Sequence, residues 1–157
     1  MKAPTVIGLR SADRHAEILQ ANYQRYFSEA LITSMNAPTS AVEALWSADF
    51  AIVSHGVEAD PIFNFANQTA LELFELSFCM FTTLPSRKSA ETVSQTERDT
   101  LLAEVSKNGC IENYTGVRVS STGKRFFIEN ARVWNLYDSN ADYYGQAAMF
   151  KSWKRLK

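Results

Sequence analysis

The sequence predicts an α+β domain, a five-stranded antiparallel sheet with helices on one face and an amphipathic helix ahead of it. Three observations carry this expectation. First, the last third holds three strand-like runs, Ile111–Ser120, Lys124–Tyr137 and Tyr143–Trp153. The links between them, Ser121-Thr122-Gly123 and Asp138–Asp142, are short and rich in turn residues, which leaves room for antiparallel neighbours but not for a crossover. Second, two capping boxes, Ser40-Ala41-Val42-Glu43 and Ser94-Gln95-Thr96-Glu97, mark helix starts between the strand regions. Third, both alternating residue sets of Lys124–Tyr137 contain large apolar groups. One set is Phe126, Ile128, Asn130, Arg132, Trp134 and Leu136; the other includes Phe127, Ala131 and Val133. A sheet wetted on one side shows clean alternation, so this sheet needs a cover on each face.

The gross numbers fit one folded domain. The chain has 157 residues, 46% hydrophobic and 21% charged, with a formal net charge of -1. That charge removes the basis for non-specific nucleic-acid binding, which needs a basic face. No apolar run approaches the roughly 20 residues that span a bilayer, and the N-terminus lacks an apolar stretch of signal-peptide length. The two cysteines, Cys79 and Cys110, are too few for a disulfide framework and fit a reducing, cytoplasmic setting.

Taken in order, residues 1–12 read as a flexible lead-in and residues 13–36 as an N-terminal helix. Its stripe runs through Ile18, Leu19, Tyr23, Tyr26, Phe27 and Leu31 at three- and four-residue spacing. Asn36-Ala37-Pro38 ends it, because the residue before proline is pushed out of the helical region. The domain proper covers residues 40–157. Its first capping box opens a short helix with Ala44, Leu45 and Trp46. Phe50–Ser54 is a buried strand stopping at His55-Gly56, and Pro61–Phe65 is its hairpin partner. Asn67 caps a helix from Gln68 to Leu76 with Ala70, Leu71 and Phe74 inward. Residues 77–93 read as a long loop with helical fragments. The second capping box opens a helix with Leu101, Leu102 and Val105, closed by Asn108-Gly109. The first hairpin then adds to the final meander, and the striped helix is the candidate lid for the second face, in cis or across a homodimer through Tyr23, Tyr26, Phe27 and Leu31.

This arrangement resembles the PAS fold from about Phe50 to Trp153. The run Asn67-Gln68-Thr69-Ala70-Leu71-Glu72-Leu73-Phe74 looks like its N-x-x-A-x-x-L/F signature, and Thr122-Gly123 and Tyr144-Gly145 fall at its turn positions. A closer resemblance is to the MEKHLA domain, a PAS-like family, over roughly His15 to Trp153. It is carried by Ser54–Pro61, Pro85–Glu91, Asn113–Phe126 and Val133–Leu136. That family occurs alone in bacteria and at the C-terminus of plant homeodomain-leucine-zipper proteins. The resemblance implies a stand-alone bacterial PAS-like sensor or interaction domain, rather than an enzyme. The cysteine run of flavin-binding photosensory relatives is missing around Cys79, and a lone histidine is a weak case for haem, so no cofactor is indicated.

The candidate ligand pocket lies between sheet and helices. Its expected walls are Phe50, Ile52, Phe65, Phe74, Tyr114 and Trp134. Asn64, Asn113, Asn130, Arg132 and Gln146 stand among apolar neighbours, where an unpaired amide costs on the order of 1–3 kcal/mol. They either satisfy one another or line a cavity for a ligand or water, and ten phenylalanines argue equally for a filled core. Arg87, with Lys88 and flanking serines, is an anion-binding candidate; its alternative is an ion pair holding the loop. His55 is a loop-site candidate whose plainer role is a hydrogen bond within a turn. No second His or Cys stands at ligand spacing for a metal. His15, near a helix start, reads as solvated. Two rival readings remain: a structural dimerisation module with a filled core, and a small enzyme pairing His55 with Glu58 or Asp60.

Overall fold

The computed structural model describes residues 2–33, 39–91 and 95–157. The chain opens with a small hairpin, β1 (Val6–Ile7) and β2 (Arg10–Ser11), followed by α1 (Ala12–Phe27) and α2 (Ala41–Trp46). Next come β3 (Ala51–His55), β4 (Phe63–Ala66), α3 (Gln68–Phe74), α4 (Phe78–Phe81) and a 3-10 turn at Ser86–Ser89. The last part comprises α5 (Gln95–Asn108), β5 (Cys110–Val119), β6 (Arg125–Tyr137), β7 (Tyr143–Phe150) and β8 (Ser152–Arg155).

The N-terminal expectations need two corrections. Residues 6–11 are not a loose lead-in but the β1–β2 hairpin, tied to α1 by the Ala12 N–H donating to Thr5 O at 2.9 Å. The helix starts one residue early, at Ala12, with Ser11 accepting from Arg14 N, and ends at Phe27 rather than near residue 36. Ser28 turns left-handed at φ 57° and donates to Gln24 O. What holds the chain beyond that turn is side-chain anchoring: Leu31 is buried and Glu29 pairs with Arg132. The proposed Asn36-Ala37-Pro38 stop lies outside the described residues, as does Ser94 of the second capping box. In the first box Ser40 caps α2 as expected, its Oγ accepting from Glu43 N at 3.3 Å.

The sheet is antiparallel throughout, in the order β4-β3-β7-β6-β5, with β8 also on β6. β8 continues β7: Arg132 pairs with Met149 and Glu129 with Ser152 in the same register, interrupted only opposite Asn130. The expected third strand of the meander is thus split in two.

Asn130 is the reason. At φ 54° it inserts a bulge that shifts the alternation of β6 by one residue. Phe126 and Ile128 are buried before it, Ala131 and Val133 after it, while Arg132, Trp134 and Leu136 point the other way. The two residue sets read from strict alternation are therefore mixed. Their consequence stands, because both faces of this part of the sheet are covered.

One face carries α3, α4, the 3-10 turn and α5. The opposite face is covered by α1 of the same chain. Tyr23 and Phe27 pack edge-on against Trp134 at ring centroid distances of 5.0 and 6.0 Å. Trp134 is fully buried, and its indole N–H donates to Leu19 O at 3.3 Å. Asn22 donates to Tyr137 O at 2.9 Å and accepts from Tyr137 N at 3.2 Å, pinning the helix along β6. The stripe, expected to serve as the lid in cis or across a homodimer, packs in cis: Tyr23 and Leu31 are buried, and Tyr26 and Phe27 are packed against the core.

Asn67 joins the layers. It is fully buried, and its Oδ1 accepts from Ala70 N, capping α3, and from Ile52 N of β3. Its Nδ2 donates to Leu45 O and Phe50 O at 3.0 and 2.7 Å. Both amide donors and the oxygen are used, which explains an asparagine there rather than a shorter capping residue.

Candidate functional site

Between the sheet and the α3–α5 layer lies a cavity of about 80 Å³. Its apolar walls include Phe63 and Phe74 from the hairpin and α3, Leu101 and Leu102 from α5, and Ile128 and Val133 from β6. Polar groups enter from five elements: His55 on β3, Gln146 on β7, Ser86 and Ser89 on the 3-10 turn, Arg98 on α5, and Tyr114 and Arg118 on β5.

A chain of amides orients Gln146. Asn135 Nδ2 donates to Val105 O at 3.1 Å, so its Oδ1 is turned to accept from Gln146 Nε2 at 3.0 Å. Gln146 Oε1 is then left without a partner, although the residue is only 4% exposed. His55 has the same condition. Its Nδ1–H donates to Gly56 O at 2.9 Å, which leaves Nε2 as a buried acceptor with no partner. Burial pushes the His55 pKa below its ordinary 6.5 and Arg98 lowers it further, while the Gly56 bond and the adjacent Gln146 side chain, which would accept from a protonated ring, act the other way. The ring is neutral at pH 7.

The cations are buried too. Arg98 and Arg118 are 7% and 9% exposed. Arg98 donates to Ser86 Oγ and lies 3.7 Å from the exposed Asp99 carboxylate. Arg118 donates to Val117 O at 2.8 Å and to Tyr114 Oη at 3.2 Å, and the tyrosine hydroxyl in turn donates to Glu97 at 2.8 Å. Burial, and after it the neighbouring Arg118, lowers the Arg98 pKa from its usual value.

On the far side of the sheet, His15 is fully buried, which overturns its reading as a solvated residue. Its Nδ1 meets Tyr144 Oη at 2.6 Å and its Nε2 meets Ser54 Oγ at 3.0 Å, while Ser54 donates to Asn64 Oδ1 at 2.5 Å. With the serine proton on Asn64, His15 Nε2–H donates to Ser54 and Nδ1 accepts from Tyr144. Burial, with a smaller effect of Arg10, pushes its pKa down to about 4.

A sequence model of the MEKHLA domain matches residues 13–155, nearly the whole chain. The chain belongs to the MEKHLA domain family. The homeobox-leucine zipper protein HOX29 of Oryza sativa subsp. japonica is 29% identical over 124 residues, covering 76% of this chain and 14% of the relative. REVOLUTA of Arabidopsis thaliana, also named a homeobox-leucine zipper protein, is 22% identical over 144 residues, covering 88% of this chain and 17% of the relative. The chain thus spans less than a fifth of these relatives. Both are plant proteins and lend no support to the bacterial origin expected above.

Solved structures show the fold to be that of PAS domains. A PAS domain from Colwellia psychrerythraea superposes with a TM-score of 0.57 at 17% identity, covering 73% of this chain and 92% of that one. A light-oxygen-voltage domain studied with a flavin analogue gives 0.59 at 14% identity, covering 76% and 87%.

Within this MEKHLA domain the cavity gathers Phe74, Tyr114 and Gln146 from the residues picked out in the sequence, together with His55. The other expected wall residues lie elsewhere. Trp134 sits under α1, and Phe65 packs against His15 at 5.8 Å between ring centroids. Ile52 pairs with Met149 in register with Arg132 and alternates with Val53 along β3, which puts it on the α1 side with Ser54. Asn64 is held by Ser54. Phe50, Asn130 and Arg132 line an open depression near the end of α1, where Arg132 meets Tyr23 Oη at 2.7 Å and Glu112 at 3.7 Å. Arg87 is an exposed partner of Asp60, bound through Nε at 3.1 Å, and does not enter the cavity. Glu58 accepts from Ile62 N at 3.1 Å, so both acidic residues near His55 have structural tasks.

Sequence reasoning missed Arg98 and Arg118. Arg98 stands one turn before Leu101 and Leu102 and two before Val105, on the apolar stripe of α5. Arg118 alternates with Tyr114, Gly116 and Ser120 on the inward face of β5. A charged residue in phase with an apolar stripe was the available signal.

Proposed function

We propose that this MEKHLA domain senses a small molecule held in the cavity between the sheet and α3–α5, and passes its occupancy to α1. The observation that carries the reading is the pair of buried acceptors, His55 Nε2 and Gln146 Oε1, that line one cavity and lack partners. Such orphaned atoms cost on the order of 1–3 kcal/mol each, a cost a ligand or ordered water removes. The route to α1 is short. Along β3, His55 borders the cavity while the side chain of the adjacent Ser54 binds His15 of α1. Along β6, Val133 borders the cavity and Trp134 receives Tyr23. A ligand that moves these strands shifts the population of docked α1.

The reading is of a binding domain without catalysis or direct nucleic-acid contact, in a reducing, cytoplasmic setting. Supporting features are the net charge of -1 and two free cysteines. Among the described residues no helix is long and apolar enough to cross a membrane. Self-association belongs to the same proposal, with the exposed Val6 and Leu9 of the β1–β2 hairpin as the apolar surface beside α1.

Native mass spectrometry of unfractionated protein tests the reading, combined with hydrogen exchange of α1 before and after ligand stripping. Extra mass together with changed α1 protection supports it. A ligand-free protein indifferent to a broad metabolite panel rejects sensing in favour of a filled-core module. A monomer by light scattering rejects self-association.

A further inference from the structure

The donors and acceptors around the cavity define a ligand class more narrowly than its shape does, given that the cavity is a ligand site as proposed above. Two guanidiniums present N–H donors and positive charge, and among the described residues the carboxylates recorded beside them are exposed: Asp99, with a side chain 72% exposed, lies 3.7 Å from Arg98, and Glu97 reaches Arg118 only through the Tyr114 hydroxyl. Buried charges whose only counter-ions are exposed remain costly, and planar guanidinium donors match a carboxylate. His55 Nε2 and Gln146 Oε1 require the opposite, a group that donates. With the ring neutral neither can supply the other, because the Gly56 carbonyl fixes the tautomer of His55 and Asn135 fixes the amide of Gln146; only a protonated His55 would donate to Gln146.

We propose that the cavity takes a short-chain hydroxycarboxylate, its carboxylate on Arg98 and Arg118 and its hydroxyl donating to His55 Nε2 or Gln146 Oε1. An ammonium would also donate, but the two nearby guanidiniums disfavour a third positive charge. The volume of about 80 Å³ matches an acid of two to four carbons, since a cavity of about 150 Å³ accommodates benzene and drug-sized ligands need several hundred. The apolar walls of Leu101, Leu102 and Val133 leave space for a short alkyl tail.

The test is calorimetric titration and thermal shift of the full chain, stripped of ligand, with three matched probes. Lactate carries both groups, propionate lacks the hydroxyl, and propane-1,2-diol lacks the carboxylate. The expected result is saturable lactate or glycolate binding, at least about tenfold weaker binding of propionate, and no binding of the diol, since an unpaired buried polar group costs that much or more. Arg98→Met is expected to weaken lactate binding about tenfold or more while leaving diol behaviour unchanged; if that variant does not fold, the probe series on the natural chain decides. Equal binding of lactate and propionate, or no binding of either hydroxy acid, overturns the assignment. In that case, binding of a neutral or cationic metabolite leaves the sensing proposal standing, whereas silence across all charge classes removes both.

Discussion

Asn113 on β5 and Asn130 on β6 are a matched pair of bulges, with φ of 60° and 54°, immediately before the paired residues Tyr114 and Ala131. Each inserts one residue, so the two cancel. Ile111 pairs with Val133 and Gly116 with Ile128 in the same register on either side. Their joint effect turns Ala131 and Val133 toward the cavity layer and Trp134 toward α1.

Asparagine tolerates the left-handed region better than most residues, and glycine better still. Replacing Asn130 by Gly should leave stability within about 0.5 kcal/mol, whereas Asn130→Val should cost about 1–2 kcal/mol. Urea denaturation of the two variants checks this. Equal losses would mean that the side chain, not the backbone angle, matters at this position.

Stability should fall in mild acid because of His15. Its pKa is near 4 in the folded protein and near 6.5 when unfolded, so protons bind preferentially to the unfolded chain between those values. The contribution is fully present above pH 6.5 and is lost as the pH falls toward 4. It is worth on the order of 3 kcal/mol. The groups facing it are Tyr144, Ser54 and Arg10. His55, also lowered, adds a smaller slope of the same sign. Denaturation midpoints at pH 7.5, 6 and 4.5 should decline for the natural chain and much less for His15→Gln.

Glu75 acts in a lower window. Hydrogen bonds from Thr122 and Ser120, and from Lys124 at 3.1 Å, hold its pKa down to about 2. Its contribution is present above the ordinary 4.5 and is lost below it, as pH falls toward 2. Glu75→Gln should therefore flatten the stability profile only below pH 4.5, without touching the histidine region.

Asn67→Ala removes the cap of α3 and the links to β3 and α2 together. Four buried backbone groups lose a partner, so a loss of about 3 kcal/mol or more is expected. Asn67→Asp keeps the α3 cap but turns an oxygen toward Leu45 O and Phe50 O, and should be nearly as damaging. A mild aspartate variant in thermal melts would show that the capping bond alone accounts for the role.

Gly145→Ala should disturb the cavity wall at His55 without replacing any side chain that lines it. The backbone of Gly145 has φ 142°, and a Cβ there would lie 2.0 Å from His55 O. Gly123, at φ 85°, faces open space. Gly145→Ala should cost more than about 2 kcal/mol and Gly123→Ala about 1 kcal/mol, a contrast that chemical denaturation resolves.

Element order, strand pairing and the family were legible in the residues, because turn chemistry, capping boxes and apolar periodicity act within a few positions of the chain. The demand for a second lid was legible for the same reason: Trp134 and Val133 cannot both face solvent. The stripe on α1 named the lid, and the burial of Tyr23 against Trp134 in one chain decided how it is used. What only the tertiary structure decided depends on neighbours distant in sequence. Two asparagine bulges exchanged the faces of β6, moving Trp134 and Arg132 out of the cavity wall that strict alternation assigned to them. The burial of His15 requires Ser54 and Tyr144 from two other strands. The cavity's polar lining arises where α5 and β5 bring Arg98 and Arg118 beside His55 and Gln146. Local patterns set which elements form, since their energetics are those of adjacent residues. Which polar atoms end without a partner is set by the whole packed arrangement, since it depends on residues brought together from distant parts of the chain.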